Sequence, residues 1–357
     1  MIILTTNLTK LSMKNKVALF SDLHIGLHGD SPVWHKIALD FADWVKDTLE
    51  SKKIRDIIFC GDFFHYREEV NQTTLDCGTE FLKKFKDFNI IMIPGNHCCY
   101  YKNNSIIHSL KPFDGWENIT VYDKLTTIEH CGKTLTFCPW GVEVKDIPKS
   151  DIIFGHFEIT NFKINFVKIC EHGEDSANLL DKANTVISGH FHSRDHRTYD
   201  NGEILYLGSP FEQNFGEVNQ AKGITILDFN TMKYEFIENL ISPKHIKISL
   251  TSILAKTVDL KKGINGNVVT LLIDEKLNED TLNLVISKIT QLKPLQFKTE
   301  FTYEDIITTT KDIEKCNISV DEALNDFINV LNTEVDKKNI YEKCIELYNE
   351  ARTITES

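Results

Sequence analysis

The sequence predicts an α/β fold in which two mixed β-sheets are flanked by helices over residues 17–242. Three observations carry this expectation. Short apolar runs rich in Val, Ile and Phe recur and end in polar, glycine-containing tips: "VALFSDLH" (17–24), "DIIFCGDFFH" (56–65), "NIIMIPGNH" (89–97), "DIIFGHFE" (151–158) and "TVISGHFH" (185–192). Each has the length and composition of a strand buried on both faces. Helical periodicity lies between the first three, which gives βαβ units and a layered arrangement. Further strand-like runs follow, several joined by turn residues such as Cys-Gly-Lys and Asp-Asn-Gly.

In chain order, residues 1–16 read as an N-terminal extension. Met13 opens "MKNKVALFSDLH" as a start codon would, so residues 1–12 are expected to be dispensable. The first helix is expected in "WHKIALDFADWVKDTLESKK", where Trp34, Ile37, Ala38, Phe41, Trp44, Val45 and Leu49 keep an i, i+3, i+4 spacing. A second, "TLDCGTEFLKKF", places Leu75, Phe81, Leu82 and Phe85 on one face. Strands are then expected at "ITVYD", "KLTTIEH", "KTLTFCPW", "EILYLGSP", "GITILDF" and "YEFIENL". Pro243 interrupts "ISPKHIKISL" and marks a boundary. Beyond it, a strand ("NVVTLLIDE"), a helix opened by Asn278 and another strand ("LQFKTEFTY") make a small α+β domain over residues 243–306. A polar, threonine-rich linker (307–318) leads to a helical segment, 319–357. There Ser319 with Glu322 forms a capping box ahead of Leu324, Phe327, Ile328 and Leu331. Thr333 with Asp336 opens a second helix whose apolar face is Ile340, Cys344, Leu347, Tyr348 and Ala351. Two such helices beyond a linker either pack on the protein's own body or dock on a partner.

Composition narrows the class. At 357 residues and 41% hydrophobic, the chain can close a large core. It has no apolar run near the roughly 18 residues of a membrane span and no secretory leader pattern, so a soluble cytoplasmic protein without membrane contact is expected. The nine cysteines are an odd number with no Cys-x-x-Cys among them, which argues for reduced thiols and against a disulfide framework. The adjacent Cys98 and Cys99 after His97 look like part of a zinc site, but no second pair completes it. Net charge is −12, unevenly spread: residues 301–357 alone hold 6 Lys/Arg against 13 Asp/Glu. That balance disfavours a polyanionic partner, although bound divalent metal ions would reverse it locally.

The strand tips carry the chemistry. They read Asp22-Leu-His24, Gly61-Asp62-Phe-Phe-His65, Gly95-Asn96-His97, Gly155-His156 and Gly189-His190-Phe-His192. Open α/β sheets bind ligands at the carboxyl edge, so five tips bring carboxylates, imidazoles and an amide to one place. A single Gly-His or Gly-Asp dipeptide means little in a chain of this length. Five in this order suit Mn²⁺, Fe²⁺, Zn²⁺ or Mg²⁺, and so many ligands are too many for one ion. Two ions sharing a carboxylate would use them all.

The order D-x-H, G-D-x-x-H, G-N-H, G-H, G-H-x-H resembles the calcineurin-like metallophosphoesterase pattern, and within it the SbcD-type nuclease subunits of recombination and repair complexes, with their tailed-phage counterparts. The resemblance implies a four-layer sandwich with a small capping domain that binds DNA, and a two-metal DNA exonuclease/endonuclease acting in recombination, repair or replication. It implies that Asp22, His24 and His192 hold one ion, that Asn96, His156 and His190 hold the other, and that Asp62 bridges them. Manganese is the foremost metal, with magnesium the alternative. His97 would stabilise or protonate the leaving oxygen, and His65 would orient the substrate. The family usually has Asp after that histidine, whereas this chain has Cys98, which should orient His97 less well. The implied partners are DNA and an SbcC-type coiled-coil ATPase docked on residues 319–352, since no phosphate-binding Gly-x-x-x-x-Gly-Lys-Ser/Thr loop occurs here. A homodimer through "TLDCGTEFLKKF" is implied as well. Arg67, Tyr100, Lys102, Arg194 and Arg197, which follow the tips, are candidates for phosphate contact. Two alternatives remain: another phosphoesterase of this fold, either a phosphomonoesterase or a cyclic-nucleotide phosphodiesterase, or a catalytically weak DNA-tethering subunit. His65, three residues after Asp62, favours the nuclease over the first. Cys98 is the feature that favours the second.

Overall fold

The computed structural model describes residues 13–164, 168–302, 328 and 336–355. Its first part runs β1 (Lys16–Phe20), a helical turn α1 (Leu27–Asp30), α2 (Pro32–Ser51), β2 (Asp56–Phe59), α3 (Gln72–Lys84), β3 (Asn89–Met92) and β4 (Ile119–Val121). There follow β5 (Thr126–His130), β6 (Lys133–Cys138), β7 (Ser150–His156), α4 (Ser176–Leu180), β8 (Ala183–Gly189), β9 (Asp195–Tyr199), β10 (Gly202–Tyr206), β11 (Gly223–Asp228) and β12 (Lys233–Glu238). One sheet has the order β12-β11-β1-β2-β3-β4 and the other β5-β6-β7-β8-β10-β9. The strands that carry the five tips pair in parallel with their neighbours, β1 with β2, β2 with β3, and β7 with β8.

The alternation of side chains along each strand explains why the runs are apolar throughout. Val17, Leu19, Ile58, Ile91, Ile152, Phe154 and Ile187 turn into a core between the two sheets. Their neighbours Ala18, Phe20, Ile57, Phe59, Ile90 and Met92 turn outward, under α2 and α3. Ile153 and Val186 turn to the other outer face, where they meet Leu179 and Leu180 of α4. Each strand is therefore buried on both faces, and the layers are helix, sheet, sheet, helix. β1 opens at Lys16 with Met13 already buried between the sheets.

Helix α2 begins with Pro32 in its first turn, where the missing N–H costs nothing, and buries Trp34, Ile37, Ala38, Phe41, Val45 and Leu49 as its spacing predicts. In α3, capped by the Asn71 side chain on the Thr73 N–H, the buried face is Thr74, Cys77, Gly78, Phe81 and Leu82. Leu75, in the first turn of the helix, is exposed, contrary to expectation. The edge strand β9 escaped the sequence reading, since its mixed residues bury little. The residues after Pro243 form a third sheet of three parallel strands, β13 (His245–Ser249), β14 (Val268–Ile273) and β15 (Gln296–Phe301), with α5 (Leu250–Leu254) and α6 (Glu279–Gln291) in the connections. Asn278 caps α6 by accepting from the Thr281 N–H, as expected.

The chain divides into two compact units, Met1–Phe301 and Thr302–Ser357. In the second, α7 (Lys337–Thr355) is the described element, and the Asp336 carboxylate accepts from the Lys338 N–H at its start. The predicted capping box of Ser319 and Glu322, with Leu324, Phe327 and Leu331, lies outside the described residues.

Phe41 sits in the outer core against Phe20 (5.9 Å between ring centroids) and Phe211 (5.7 Å). Phe41→Ala should therefore cost about 3–5 kcal/mol. A urea titration should show a lower midpoint with an unchanged slope; an unchanged midpoint would mean that α2 is not held by this contact.

Candidate metal centre

All five tips reach one edge of the sheet pair, and the local backbone there is unusual. Asp22 (φ 56°), His24 (φ 49°), Asp62 (φ 59°) and His190 (φ 94°) all adopt the left-handed region that side chains normally avoid. Strain of this kind persists only where the surroundings over-determine it. Two glycines make the approach possible. A Cβ on Gly61 would stand 2.3 Å from His156 Nδ1, and one on Gly95 would stand 2.3 Å from Asp62 Oδ1.

The side chains form two adjoining groups. In one, Asp22, His24 and His192 bring their donor atoms within 4.8 Å of one another; in the other, Asp62, His156 and His190 do so. Asn96 belongs with the second group, its Oδ1 lying 3.0 Å from His156 Nε2 and 2.9 Å from His190 Nδ1. Asp62 lies between the groups, with Oδ2 3.5 Å from His24 Nε2 and 3.3 Å from His156 Nε2. Its other oxygen accepts from the His97 backbone N–H (2.8 Å), and Asp22 accepts from the His190 N–H (3.0 Å). All seven residues expected as ligands thus come together. So do His65 and His97, whose donor atoms form a third group with His24.

Backbone and carboxylate partners fix the imidazoles. His156 Nδ1 donates to the Cys60 carbonyl (2.7 Å) and His192 Nδ1 to Glu217 Oε1 (2.8 Å), which leaves both Nε2 atoms facing inward. The His192 and His24 Nε2 atoms stand 3.1 Å apart, two ring nitrogens turned on each other. Two carboxylates, four imidazoles and an amide oxygen, with ring nitrogens crowded together, make a donor set that fits borderline divalent ions.

The electrostatics point the same way. Burial would raise the Asp62 carboxyl, but His156 and His24 outweigh it and hold the group well below the usual carboxylate range. Burial would lower His156, but Asp62 and Asp22 raise it to about 9. Burial and neighbouring imidazoles push His190 down to about 3 and His65 to about 4, and burial takes His24 well below its ordinary value. Burial also raises Asp22. Without cations the cluster therefore keeps a proton on His156 and leaves His24, His65 and His190 neutral, as deprotonated nitrogen ligands require.

Several residues here carry no signature in the sequence. Glu217 and Lys222 are fully buried and paired at 2.7 Å, and Lys222 Nζ also donates to the His192 carbonyl (2.7 Å) and to Ser209 Oγ (2.8 Å). Burial would raise Glu217, but His192 and Lys222 bring it to about 2. Gln213 Nε2 donates to the Asp22 carbonyl (2.6 Å). Trp140 stands against His190, with ring centroids 5.3 Å apart. No spacing rule predicts these, because they come from distant loops.

Other expectations need correction. Cys98 does not leave His97 loosely held: His97 Nδ1 donates to the His65 carbonyl (2.5 Å), while the Cys98 thiol turns into the outer core and accepts from the Phe63 N–H (3.4 Å). Burial raises that thiol to about 11. Neither Cys98 nor Cys99 belongs to a group of metal-ligating side chains among the described residues. Arg194 lies over Phe236 and Arg197 over Phe162, with Arg197 also paired to Asp195, so both guanidinium groups are committed within the fold.

The family model described as calcineurin-like phosphoesterase matches residues 15–194, a span that contains all five tips. Exonuclease subunit 1 of Enterobacteria phage T4 is 24% identical over 352 residues, 94% of this chain and 99% of that protein. A solved structure described as a novel archaeal phosphodiesterase matches with a TM-score of 0.36 and 16% identity, over 63% of this chain and 99% of that one.

Two outcomes follow from the buried charges. Glu217→Gln strands the Lys222 ammonium and should cost about 3–5 kcal/mol, whereas Glu217→Gln with Lys222→Met should recover most of it; urea midpoints of the two variants decide, and equal midpoints would deny the pairing. Chelator-treated protein should also be most stable near pH 6.5. Below 6.5 the unfolded chain takes up protons that His65 and His190 refuse until about 4 and about 3, so stability falls with pH. Above 6.5 the unfolded chain loses a proton that His156 keeps to about 9, so stability falls again from about 6.5 and levels off once pH has passed about 9. Denaturation midpoints across pH 4–10 in EDTA would check this, and a flat profile would refute it.

Proposed function

Because the chain belongs to the calcineurin-like phosphoesterase family, and so is a metal-dependent hydrolase of phosphodiester bonds, we propose that its substrate is DNA and that it serves as the nuclease subunit of a recombination, repair or replication complex. The observation that carries this is the pair of adjoining donor groups with Asp62 between them, and His97 tied by its backbone to the same carboxylate. Similarity to the phage exonuclease subunit over nearly the whole chain supports the substrate.

In this reading Asp22, His24 and His192 hold one divalent ion, Asn96, His156 and His190 hold the second, and Asp62 serves both. Manganese is the proposed metal, with magnesium the alternative. Bound there, the ions supply Lewis acidity, which makes water a nucleophile near neutral pH and offsets charge on the phosphoryl oxygens. The protein does the rest. Glu217 and the Cys60 carbonyl each keep a proton on Nδ1, so that His192 and His156 present Nε2 as lone pairs. The His97 backbone N–H fixes one Asp62 oxygen and leaves the other free between the groups. The His65 carbonyl holds His97 by Nδ1, so Nε2 is the atom that hands a proton to the departing oxygen. The His65 ring stacks on His97 (18° between planes) and lines the approach for the strand. Since His97 has its orienting partner, the feature that favoured a catalytically weak tethering subunit is gone.

Three further parts of the reading come from the resemblance. The domain over residues 243–306, which holds the three-stranded sheet β13–β15, caps the site and binds DNA, residues 319–352 dock on a coiled-coil ATPase, and α3 pairs two copies. Their setting is the cytoplasm of the cell in which the protein works.

Asp62→Ala should bind fewer than two ions per chain and lose Mn²⁺-dependent cleavage of end-labelled DNA, because one Asp62 oxygen stands 3.5 Å from His24 in the first group and 3.3 Å from His156 in the second. Elemental analysis and a cleavage assay check this. Two ions still bound to the variant would overturn the bridging role, and a wild-type protein that hydrolyses simple phosphodiesters but no DNA would overturn the substrate.

A further inference from the structure

Beside the metal centre lies a cavity of about 870 Å³ that opens from His156 and is walled by Pro139, Val142 and Phe157. Trp140 forms its inner end. The indole meets His190 at 35° between planes, stands edge-to-face with His156 (centroids 6.1 Å apart), and is partly exposed where it lines the cavity. It is rigidly set. Its Nε1–H donates to the Lys102 carbonyl (2.7 Å) and its backbone N–H to the Pro94 carbonyl (2.9 Å). The next residue, Gly141, has φ 88°, and a Cβ there would stand 2.5 Å from the Asn103 carbonyl oxygen, so the 102–104 loop is packed directly on the turn that holds the ring.

We infer that Trp140 and this cavity form a subsite for an unpaired nucleobase next to the scissile phosphate. The inference rests on the DNA reading above and adds to it a preference for unpaired strands. The cavity has the volume for a nucleotide, and every base offers a π-face to an aromatic side chain whatever its sequence. The rim is not basic: Glu143, Glu158, Glu174 and Asp181 line it against Lys102, Lys145 and Lys182, with Lys145 paired to Glu143. A phosphate backbone gains little there, so the phosphate stays at the metal centre and the base alone enters. A base can do this only after leaving its helical stack. The site therefore selects single strands and frayed ends over closed duplex.

The test compares a short single-stranded oligonucleotide with one of equal length built from abasic sugars, which keeps the phosphates and removes the bases. For the wild type in Mn²⁺, KM should be lower on the base-containing strand by about 10- to 100-fold. Trp140→Ala should erase that difference, and Trp140→Phe should restore part of it. If Trp140→Ala instead lowers kcat equally on both strands with loss of bound metal, the indole only props His190 and the subsite is refuted. Binding without turnover is read separately, by fluorescence anisotropy of the labelled oligonucleotide in Ca²⁺. Equal Kd values for wild type and Trp140→Ala would also refute it. A wild type that binds base-containing strands through Trp140 but cuts no DNA would sink the nuclease reading and leave the subsite standing.

Discussion

A carboxylate with almost no exposure survives at the seam between two sheets only if protons, dipoles or cations are brought to it, and Asp62 is where both sheets do this. From the first sheet come His24, Asn96 and the His97 backbone N–H; from the second come His156, His190 and His192. This convergence requires that β1, β2, β3, β7 and β8 all end at one edge, which the parallel pairings and the shared inter-sheet core enforce. The dry core between the sheets is therefore what sets the geometry of the charged edge.

The edge is held in a form that the chain would not adopt alone. Four of the clustered residues have left-handed backbone, and glycines stand where a methyl group would strike His156 or Asp62. The buried Glu217–Lys222 pair has the same character. Replacing such a pair with apolar side chains often stabilises a fold, so its presence beside His192 argues for a positioning task. It keeps the Nδ1 proton on one imidazole and so directs Nε2 inward. Stability is given up locally in return for a fixed set of donor atoms.

Much of this was legible in the sequence, and the reason is local. A strand buried on both faces must be apolar throughout, and the residues that break the run at its end are those that reach the edge, so strand and tip can be read together. What escaped depends on contacts between distant segments. Glu217, Lys222, Gln213 and Trp140 follow no periodic pattern, and only the folded chain places them beside His192, Asp22 and His190. Cys98 was misjudged for a related reason. Its neighbour His97 takes its orienting bond from a carbonyl that exists whatever residue 65 is, and a sequence does not display the direction of a backbone oxygen. Leu75 was misplaced because the small residues, not the larger leucine, make the contacts: Gly78 lies on Phe63 and Phe64, and the Cys77 thiol turns to the His35 carbonyl of α2.

The same separation of local from global governs charge. A net charge of −12 argues against a nucleic-acid partner if the surface is treated as uniform. At the metal centre the count differs, because buried carboxylates there are directed inward and neutralised, first by the His156 proton and, in the proposed loaded state, by two divalent ions. A phosphate approaching that edge meets cations set in a low-dielectric wall, where each unit of charge counts for more than one spread over solvent. The acidic rim around Trp140 then does not work against binding. It disfavours any path in which the backbone slides past the metal centre, and so confines the phosphate to the one place where its charge is met.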